Sequence, residues 1–224
     1  MKKLLVTIDG PAGAGKTTVS RETARRLGYA YVDTGALYRG LAVVAAENGV
    51  GPGDEKGLAR IMENLTLKFE KDEKGDSRLL ANNRDITDLL RTNEVSMLAS
   101  AVSALPAVRQ WLLDLQRNLG RDGAAVFEGR DMGTVVFPGA KAKFFLTADP
   151  AVRAKRRHFE LAAAGREIAY EKVLADILIR DTNDSTRAVA PLKPAKDAVL
   201  LDSTDKTVEE VVDAILAVVR EKME

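Results

Sequence analysis

The sequence predicts an α/β fold in which crossover helices connect the strands of a parallel sheet. Short β-rich runs alternate with longer segments of helical periodicity, a pattern typical of such folds. A glycine-rich turn joins the first apolar run to the first helical segment, and the alternation is interrupted between residues 51 and 120. These observations together predict one core sheet with an insertion. The predicted core strands are residues 4–8, 29–32, 124–127, 143–146 and 199–201.

The ends of the predicted helices follow from capping signals. The first helix covers residues 16–27, and Gly28 supplies the left-handed residue that ends it. The last helix begins at a capping box formed by Thr207 and Glu210. Its apolar residues recur at helical spacing, so they are expected to pack in the core; they are Val208, Val211, Val212, Ile215, Leu216 and Val219. The other predicted helices are residues 36–48, 92–104, 107–119 and 170–179.

The insertion has a different pattern from the core. Residues 65–70 alternate apolar and polar side chains with the period of a strand, and residues 78–81 resume this pattern after the polar turn 72–76. We therefore expect an antiparallel hairpin in the insertion, followed by helices. No internal repeat or low-complexity linker separates it from the rest of the chain.

A complete phosphate-binding loop lies between the first strand and the first helix. Residues 10–17 read Gly-Pro-Ala-Gly-Ala-Gly-Lys-Thr, which matches G-x-x-x-x-G-K-[ST]. The glycines let backbone N–H groups turn towards phosphates, and the helix N-terminus favours negative charge. Lys16 is expected to reach the β- and γ-phosphates, and the Thr17 hydroxyl to ligate Mg²⁺. The residues expected to bind the nucleoside triphosphate are Gly10, Pro11, Ala12, Gly13, Ala14, Gly15, Lys16, Thr17 and Thr18.

Two further motifs place arginines where core strands are expected to end. Residues 33–39 read Asp-Thr-Gly-Ala-Leu-Tyr-Arg, and residues 128–134 read Glu-Gly-Arg-Asp-Met-Gly-Thr. Ligands collect at the carboxyl ends of strands in open α/β sheets. Arg39 and Arg130 are therefore candidates for binding an acceptor phosphate.

A third cluster, residues 180–191, contains Arg180, Asp184 and Arg187. It follows a helical segment and is expected to lie near a basic helix, on which Arg153 and Arg157 are four residues apart and share one face. Guanidinium groups that close over a transferred phosphoryl group stabilise the charge on its oxygens. The cluster therefore favours a phosphotransferase.

Composition restricts the class of protein. The 224 residues include 46% hydrophobic residues, enough for a substantial core. The chain has no cysteine, which fits a cytoplasmic protein, and no apolar run long enough for a membrane span. Its 34 basic and 33 acidic residues give a net charge of +1, which offers no general attraction to nucleic acid.

The four motifs resemble those of the bacterial cytidylate kinase family, in the family's order and over nearly the whole chain. The run Gly-Arg-Asp-Met-Gly-Thr-Val-Val-Phe-Pro at residues 129–138 is more specific than the phosphate-binding loop. The resemblance implies a P-loop NTPase-type α/β fold of three layers, with a parallel core sheet, a short helical lid at about 153–165 and an inserted region that binds the nucleoside monophosphate. It implies one domain over residues 1–224, with a core of residues 1–50 and 121–224 and the insertion at about 51–120.

The resemblance also implies a reaction and a set of roles. ATP with Mg²⁺ would phosphorylate CMP, with dCMP as a second acceptor, and the protein is expected to be a monomer without nucleic-acid or membrane partners. Cytosine recognition is assigned to Ser100, Arg109 and Asp131, and ribose contacts to Arg180 and Asp184. The acceptor phosphate is assigned to Arg39, Arg130 and Arg187, and the lid contacts to Arg153 and Arg157. The residues with an expected catalytic role are Lys16, Arg130, Arg153, Arg157 and Arg187.

Two positions depart from the family pattern. Thr34 stands where serine is usual and keeps a hydroxyl near the acceptor, so we expect little effect. Glu128 stands where aspartate is frequent, and its longer side chain leaves the outer shell of the Mg²⁺ ion open.

Other function classes are less well supported by the sequence. A GTPase is disfavoured because no Asn-Lys-x-Asp motif occurs, and a nucleic-acid-binding protein because basic and aromatic residues do not interleave. A phosphotransferase acting on another small acceptor, such as UMP, AMP or shikimate, stays open as the alternative.

Overall fold

The computed structural model describes residues 3–72 and 77–223 of the chain. In chain order its strands are β1 (Leu5–Asp9), β2 (Ala30–Asp33), β3 (Leu67–Lys71), β4 (Ser77–Ala81), β5 (Arg84–Asp85), β6 (Ala125–Gly129), β7 (Ala142–Thr147) and β8 (Val199–Asp202). Its helices are α1 (Lys16–Leu27), α2 (Thr34–Glu47), α3 (Glu55–Asn64), α4 (Asn93–Val102), α5 (Pro106–Leu119), α6 (Pro150–Ala163), α7 (Tyr170–Thr186) and α8 (Val208–Met223). A 3₁₀ turn at Thr87–Leu89 and a π-helical turn at Met132–Val136 complete the described elements. Within these residues no helix combines the length and the apolar character that a membrane span needs.

The core is a five-stranded sheet in the order β2-β6-β1-β7-β8. Every neighbouring pair is parallel, and the register pairs Asp9 with Gly129 and Asp33 with Glu128. The carboxyl ends of β1, β2 and β6 therefore meet at one edge of the sheet. The predicted α/β class and its parallel core sheet are confirmed, with small shifts at the strand ends.

One face of this sheet packs on α1 and α8. Val6, Ile8 and Phe144 are buried there against the apolar side of α8. The capping box of α8 is formed as predicted, because the Thr207 N–H donates to Glu210 Oε2 at 2.8 Å and the Glu210 N–H donates to Thr207 Oγ1 at 3.2 Å. The predicted core position of Val208 is wrong, because this first residue of the helix is 44% exposed.

The described residues form two compact units. The core unit comprises the described parts of Met1–Asp33 and Gln116–Glu224, and the second unit is Thr34–Leu115. The second unit thus begins at α2, earlier in the chain than the expected start of the insertion near residue 51. The physical reason is that α2 packs on α3, α4 and β4 of the same unit.

The second unit contains a small antiparallel sheet in the order β3-β4-β5. Leu67 pairs with Ala81 and Phe69 with Leu79, so the predicted hairpin is confirmed. Residues 73–76 of its predicted turn lie outside the described residues. The sheet lies close to α2. This is shown at Gly40 of α2, where an added Cβ would lie 2.8 Å from Leu79 Cδ2 of β4.

In the core unit, α6 and α7 pack as a hairpin. Ala154 and Leu161 of α6 are buried against Val173 and Ile177 of α7. The sequence predicted that α7 ends near Ile179, but the helix continues to Thr186. Its last turns are polar and resemble a loop in sequence, yet their hydroxyl groups bond to backbone carbonyls within the helix, as Ser185 does to Asp181 at 2.7 Å.

Candidate active site

The phosphate-binding loop, residues 10–18, connects β1 to α1 at the carboxyl edge of the core sheet. Gly10 has φ +151°, and a Cβ there would collide with the carbonyl oxygen of Leu146 on β7. Gly13 has φ +75°, and its Cβ would lie 3.1 Å from Arg153 Cβ. Both positions therefore require glycine, because a side chain would be strained and would also displace the neighbouring backbone or side chain.

Lys16 is buried at the start of α1, and its ammonium donates a hydrogen bond to the carbonyl of Pro11 at 2.6 Å. Burial, followed by the nearby charge of Arg130, lowers the pKa of Lys16 to about 7, although the charges of Glu128 and Asp184 act in the opposite direction. The ammonium thus lies inside the loop, where Glu128 and Asp184 supply only part of the negative charge that would offset its burial. An anionic group bound there would provide that charge.

Glu128 lies at the end of β6 and accepts two hydrogen bonds on Oε1. Thr17 Oγ1 donates at 2.8 Å and the Tyr31 hydroxyl donates at 2.8 Å. Burial raises the pKa of Glu128, the charge of Asp33 raises it further, and Lys16 lowers it. A hydroxyl beside a carboxylate offers the hard oxygen ligands that Mg²⁺ prefers, so this pair fits the predicted ion. Within residues 3–72 and 77–223, no three His, Cys, Asp or Glu side chains cluster as a metal site.

A second group of charged residues lies directly after β6 and at the end of α7, and we call it the Arg–Asp cluster: Arg130, Asp131, Asp184 and Arg187. Arg130 Nε donates to Asp184 Oδ2 at 2.7 Å. Arg187 lies 3.9 Å from Asp184 Oδ1 and 3.8 Å from Asp131 Oδ1, measured from its terminal nitrogens. The structure therefore brings together four of the side chains that the sequence assigned to the acceptor.

The electrostatics of the cluster favour an ionised Asp184. Burial alone would raise the pKa of Asp184, but the charge and the hydrogen bond of Arg130, with the charges of Arg187 and Arg180, lower it below its usual value. Three guanidinium groups therefore act on one carboxylate, so positive charge is in excess around Asp184. A phosphate dianion would be attracted to such a group.

Arg153 occupies a different position from the one expected for an arginine of a mobile lid. It is 3% exposed, and its guanidinium donates to Asp181 Oδ2 at 2.6 Å, to the carbonyl of Ala148 at 2.8 Å and to the carbonyl of Ala12 at 3.0 Å. Arg153 thus joins α6 and α7 to the phosphate-binding loop. Arg157, one turn further along α6, is less buried and pairs with Glu160 at 3.1 Å.

The remaining predicted site residues belong to the second unit. Thr34 is buried at the first turn of α2, and Arg39 is half-buried on the same helix. Arg109 is buried on α5, donates to the carbonyl of Ser103 at 3.2 Å and lies 5.8 Å from the centre of the Tyr38 ring. The Ser100 hydroxyl is buried and has no hydrogen-bond partner within the described part of the chain. The roles assigned to these residues stay predictions.

Three side chains at the site were not predicted. Asp9 is the last residue of β1, Tyr31 lies on β2, and Asp181 lies on α7. Asp9 shared the signal that identified Arg130, because it ends a core strand next to the phosphate-binding loop. Tyr31 and Asp181 carried no comparable signal, because a tyrosine in a strand and an aspartate in a polar run are usually structural.

Comparison with known proteins places this arrangement in a family. The family model described as cytidylate kinase matches residues 6–221. The chain belongs to the cytidylate kinase family. It is 47% identical to a cytidylate kinase of Carboxydothermus hydrogenoformans, over 97% of both chains, and 46% identical to one of Geobacter sulfurreducens, over 98% of this chain and 94% of the relative. The family resemblance inferred from the motifs is thereby confirmed, and with it a phosphotransferase.

Among solved structures, a shikimate kinase from Bacteroides thetaiotaomicron matches with a TM-score of 0.51 and 14% identity, over 98% of this chain and 99% of that chain. At this identity the match supports the fold alone. This chain therefore shares its α/β architecture with a shikimate kinase, and a shared fold does not by itself identify the acceptor.

Proposed function

We propose that this chain transfers the γ-phosphoryl group of ATP to CMP, giving ADP and CDP, and that dCMP is a second acceptor. The observation that carries the proposal is the presence of a complete phosphate-binding loop and the Arg–Asp cluster in one unit of a cytidylate kinase family member. The first suits the phosphates of a donor, and the second suits the phosphate of an acceptor.

In this reaction an oxygen of the CMP phosphate attacks the γ-phosphorus, and the bond from that phosphorus to the β–γ bridging oxygen breaks. Lys16 binds the β- and γ-phosphate oxygens. These oxygens replace the Pro11 carbonyl as the hydrogen-bond acceptors of its ammonium. Arg130 and Arg187, with Arg39, bind the acceptor phosphate and neutralise its charge as the oxygens approach. Arg157 acts on the phosphates from α6, and Arg153 acts through its hydrogen bond to Ala12 of the phosphate-binding loop.

Thr17 would ligate Mg²⁺, and Glu128 would hold water molecules around the ion. When bound, the ion supplies positive charge to the β- and γ-phosphate oxygens. Tyr31 limits the motion of the long Glu128 side chain through its hydrogen bond at 2.8 Å. This contact fixes a carboxylate that is one methylene longer than the aspartate frequent in the family.

Selection of cytosine is proposed to rest on Asp131, Ser100 and Arg109, with Arg180 and Asp184 on the ribose and Thr34 near the acceptor. The exocyclic amine of cytosine donates a hydrogen bond that the Asp131 carboxylate can accept, while Arg109 and Ser100 donate to the ring acceptors. Uracil has a carbonyl in place of the amine. A buried carboxylate that faces this carbonyl would cost on the order of 1–3 kcal/mol.

The test is an ADP-release assay with equal ATP and a series of acceptors: CMP, dCMP, UMP, AMP and shikimate. We expect CMP and dCMP to have the highest kcat/KM. A higher kcat/KM for UMP or for shikimate would instead favour the alternative of a kinase for another small acceptor. Omission of Mg²⁺, with a chelator present, is expected to abolish turnover with every acceptor.

A further inference from the structure

Asp9 is a buried carboxylate with no part in the reaction described above. It is the last residue of β1, directly before Gly10, and it is 4% exposed. Its Oδ1 accepts the N–H of Met132 and its Oδ2 accepts the N–H of Gly133, both at 2.8 Å. One carboxylate therefore fixes two successive peptide groups on a distant segment of the chain.

Those two peptide groups open the π-helical turn Met132–Val136. The first N–H groups of a helical turn have no acceptor inside the turn and need one from elsewhere. Asp131 is at the capping position, but its side chain makes no capping hydrogen bond. Asp9 caps the turn in its place. Single π-helical turns occur frequently at functional sites, which is consistent with this position beside the Arg–Asp cluster.

The turn is held closely against the sheet. A Cβ at Gly133 would lie 3.1 Å from Thr7 Oγ1 and 3.2 Å from Lys143 Cδ. Beyond the turn, Lys143 Nζ donates to the carbonyl of Pro138 at 2.6 Å. Buried charged side chains from β1 and β7 thus fix both ends of this segment.

We propose that Asp9 is a positioning residue that sets the orientation of Asp131 and thereby the choice of acceptor base. The inference rests on the proposed role of Asp131 in reading cytosine. Asp131 directly precedes the two N–H groups that Asp9 accepts, so rotation of those peptides would turn the Asp131 carboxylate. Because Asp9 is also bonded to Gly10, it ties this orientation to the start of the phosphate-binding loop.

The test is Asp9→Asn, which keeps the size of the side chain. The amide oxygen still accepts one N–H, but its NH₂ group faces the second N–H donor. We expect the ratio of kcat/KM for CMP to that for UMP to fall about tenfold, the effect of one misplaced hydrogen bond to a charged group. The loss should arise from a higher KM for CMP, with little change in KM for ATP.

Thr7→Val is the matched control, because Thr7 lies two residues earlier on the same face of β1. Its hydroxyl is buried and has no hydrogen-bond partner in the described residues. This variant is expected to keep the wild-type CMP-to-UMP ratio. A fall in Thr7→Val equal to that in Asp9→Asn would mean that any change on this face alters selectivity, and would overturn the proposal.

A double-mutant cycle with Asp131→Asn separates the positioning role of Asp9 from the base-reading role of Asp131. If Asp9 acts through Asp131, adding Asp9→Asn to Asp131→Asn lowers the ratio no further. If Asp131→Asn alone leaves the ratio unchanged, the proposed base reading is wrong, and the role of Asp9 with it. If Asp131→Asn lowers the ratio and Asp9→Asn does not, only the positioning role is overturned.

Gly133→Ala provides a second variant should Asp9→Asn not fold. The added methyl group pushes the turn away from Thr7 and Lys143 while the Asp9 carboxylate is retained. We expect it to lower the CMP-to-UMP ratio in the same direction. An unchanged ratio in a folded Gly133→Ala protein would overturn the proposal.

Discussion

The phosphate-binding loop and the Arg–Asp cluster belong to the same unit, but different interactions hold them in place. The loop is set by backbone geometry within one short segment, in which Gly10 and Gly13 have conformations that other residues rarely adopt. The cluster is set by ion pairs between side chains that follow β6 and side chains at the end of α7, such as the 2.7 Å bond between Arg130 and Asp184, which are 54 residues apart. A loop of the first kind is formed before its ligand arrives, whereas under the proposed function arginines of the second kind exchange an aspartate for the acceptor phosphate. Variants in the two regions should therefore have different kinetic signatures.

The largest effect is expected from Lys16→Ala in the loop. Removal of a charge that serves the transferred phosphoryl group should lower kcat by about 10³-fold. Binding of CMP, measured by calorimetry without ATP, should change little, because Lys16 serves the donor phosphates. The control is Lys56→Ala, which removes an exposed lysine of α3. Turnover near the wild-type rate in Lys16→Ala would show that the loop does not carry the reaction.

The loop illustrates what the sequence predicts well. Its residues are contiguous, and their chemistry depends on backbone N–H groups and glycine conformations that the motif itself specifies. The core strands and the start of α1 were predicted for a similar reason, because hydrophobic periodicity and capping are local signals. The role of Asp9 was not predicted, because its two hydrogen-bond donors lie more than 120 residues away along the chain.

Arg153 connects the phosphate-binding loop to α7, the helix that carries Asp184, and its replacement should have the next largest effect. Arg153→Ala leaves Asp181 partly buried without its ion-pair partner and removes a donor to the Ala12 carbonyl. We expect the free energy of unfolding to fall by about 3 kcal/mol. Arg157→Ala removes a more exposed pair and should lower it by less than about 0.5 kcal/mol. Urea unfolding of both variants measures the difference, and equal losses would contradict the anchoring role of Arg153.

The different burial of Arg153 and Arg157 could not be read from spacing. Residues four apart share one face of a helix, but the depth of each depends on what packs against that turn. In this structure Gly13 and Asp181 surround Arg153, whereas Arg157 contacts Glu160 on its own helix. Helical periodicity predicted the shared face and could not predict the neighbours, which come from two other parts of the chain.

Asp184→Asn tests the cluster with a smaller expected effect. The amide no longer balances the charges of Arg130 and Arg187, so the geometry of both arginines should change. We expect kcat/KM for CMP to fall about 30-fold, as for the loss of one hydrogen bond to a charged group, with KM for ATP nearly unchanged. Asp205→Asn, at an exposed position before α8, is the control. An equal rise in KM for ATP would mean that a change in the cluster also alters binding of the donor at the phosphate-binding loop.

The smallest expected effect is a pH dependence of stability that arises from Asp9. The pKa of Asp9 is raised from 3.8 to about 6, because burial and the charge of Asp131 outweigh the opposing N–H groups of Gly133 and Met132 and the charge of Lys16. A carboxyl whose pKa is raised on folding binds more protons in the folded state. Its contribution to stability is therefore largest at acid pH and is lost as the pH rises through about 6.

Comparison of the wild type with Asp9→Asn isolates this contribution, because an amide does not titrate. Relative to the variant, the wild type should lose about 1 kcal/mol of unfolding free energy between about pH 5 and about pH 7. Urea unfolding over this range measures the difference between the two proteins, and any constant cost of the substitution cancels. A difference that stays flat would mean that Asp9 keeps an ordinary pKa and that its two N–H donors outweigh the cost of burial. The carboxylate would then be held even more firmly as an acceptor for the turn that carries Asp131.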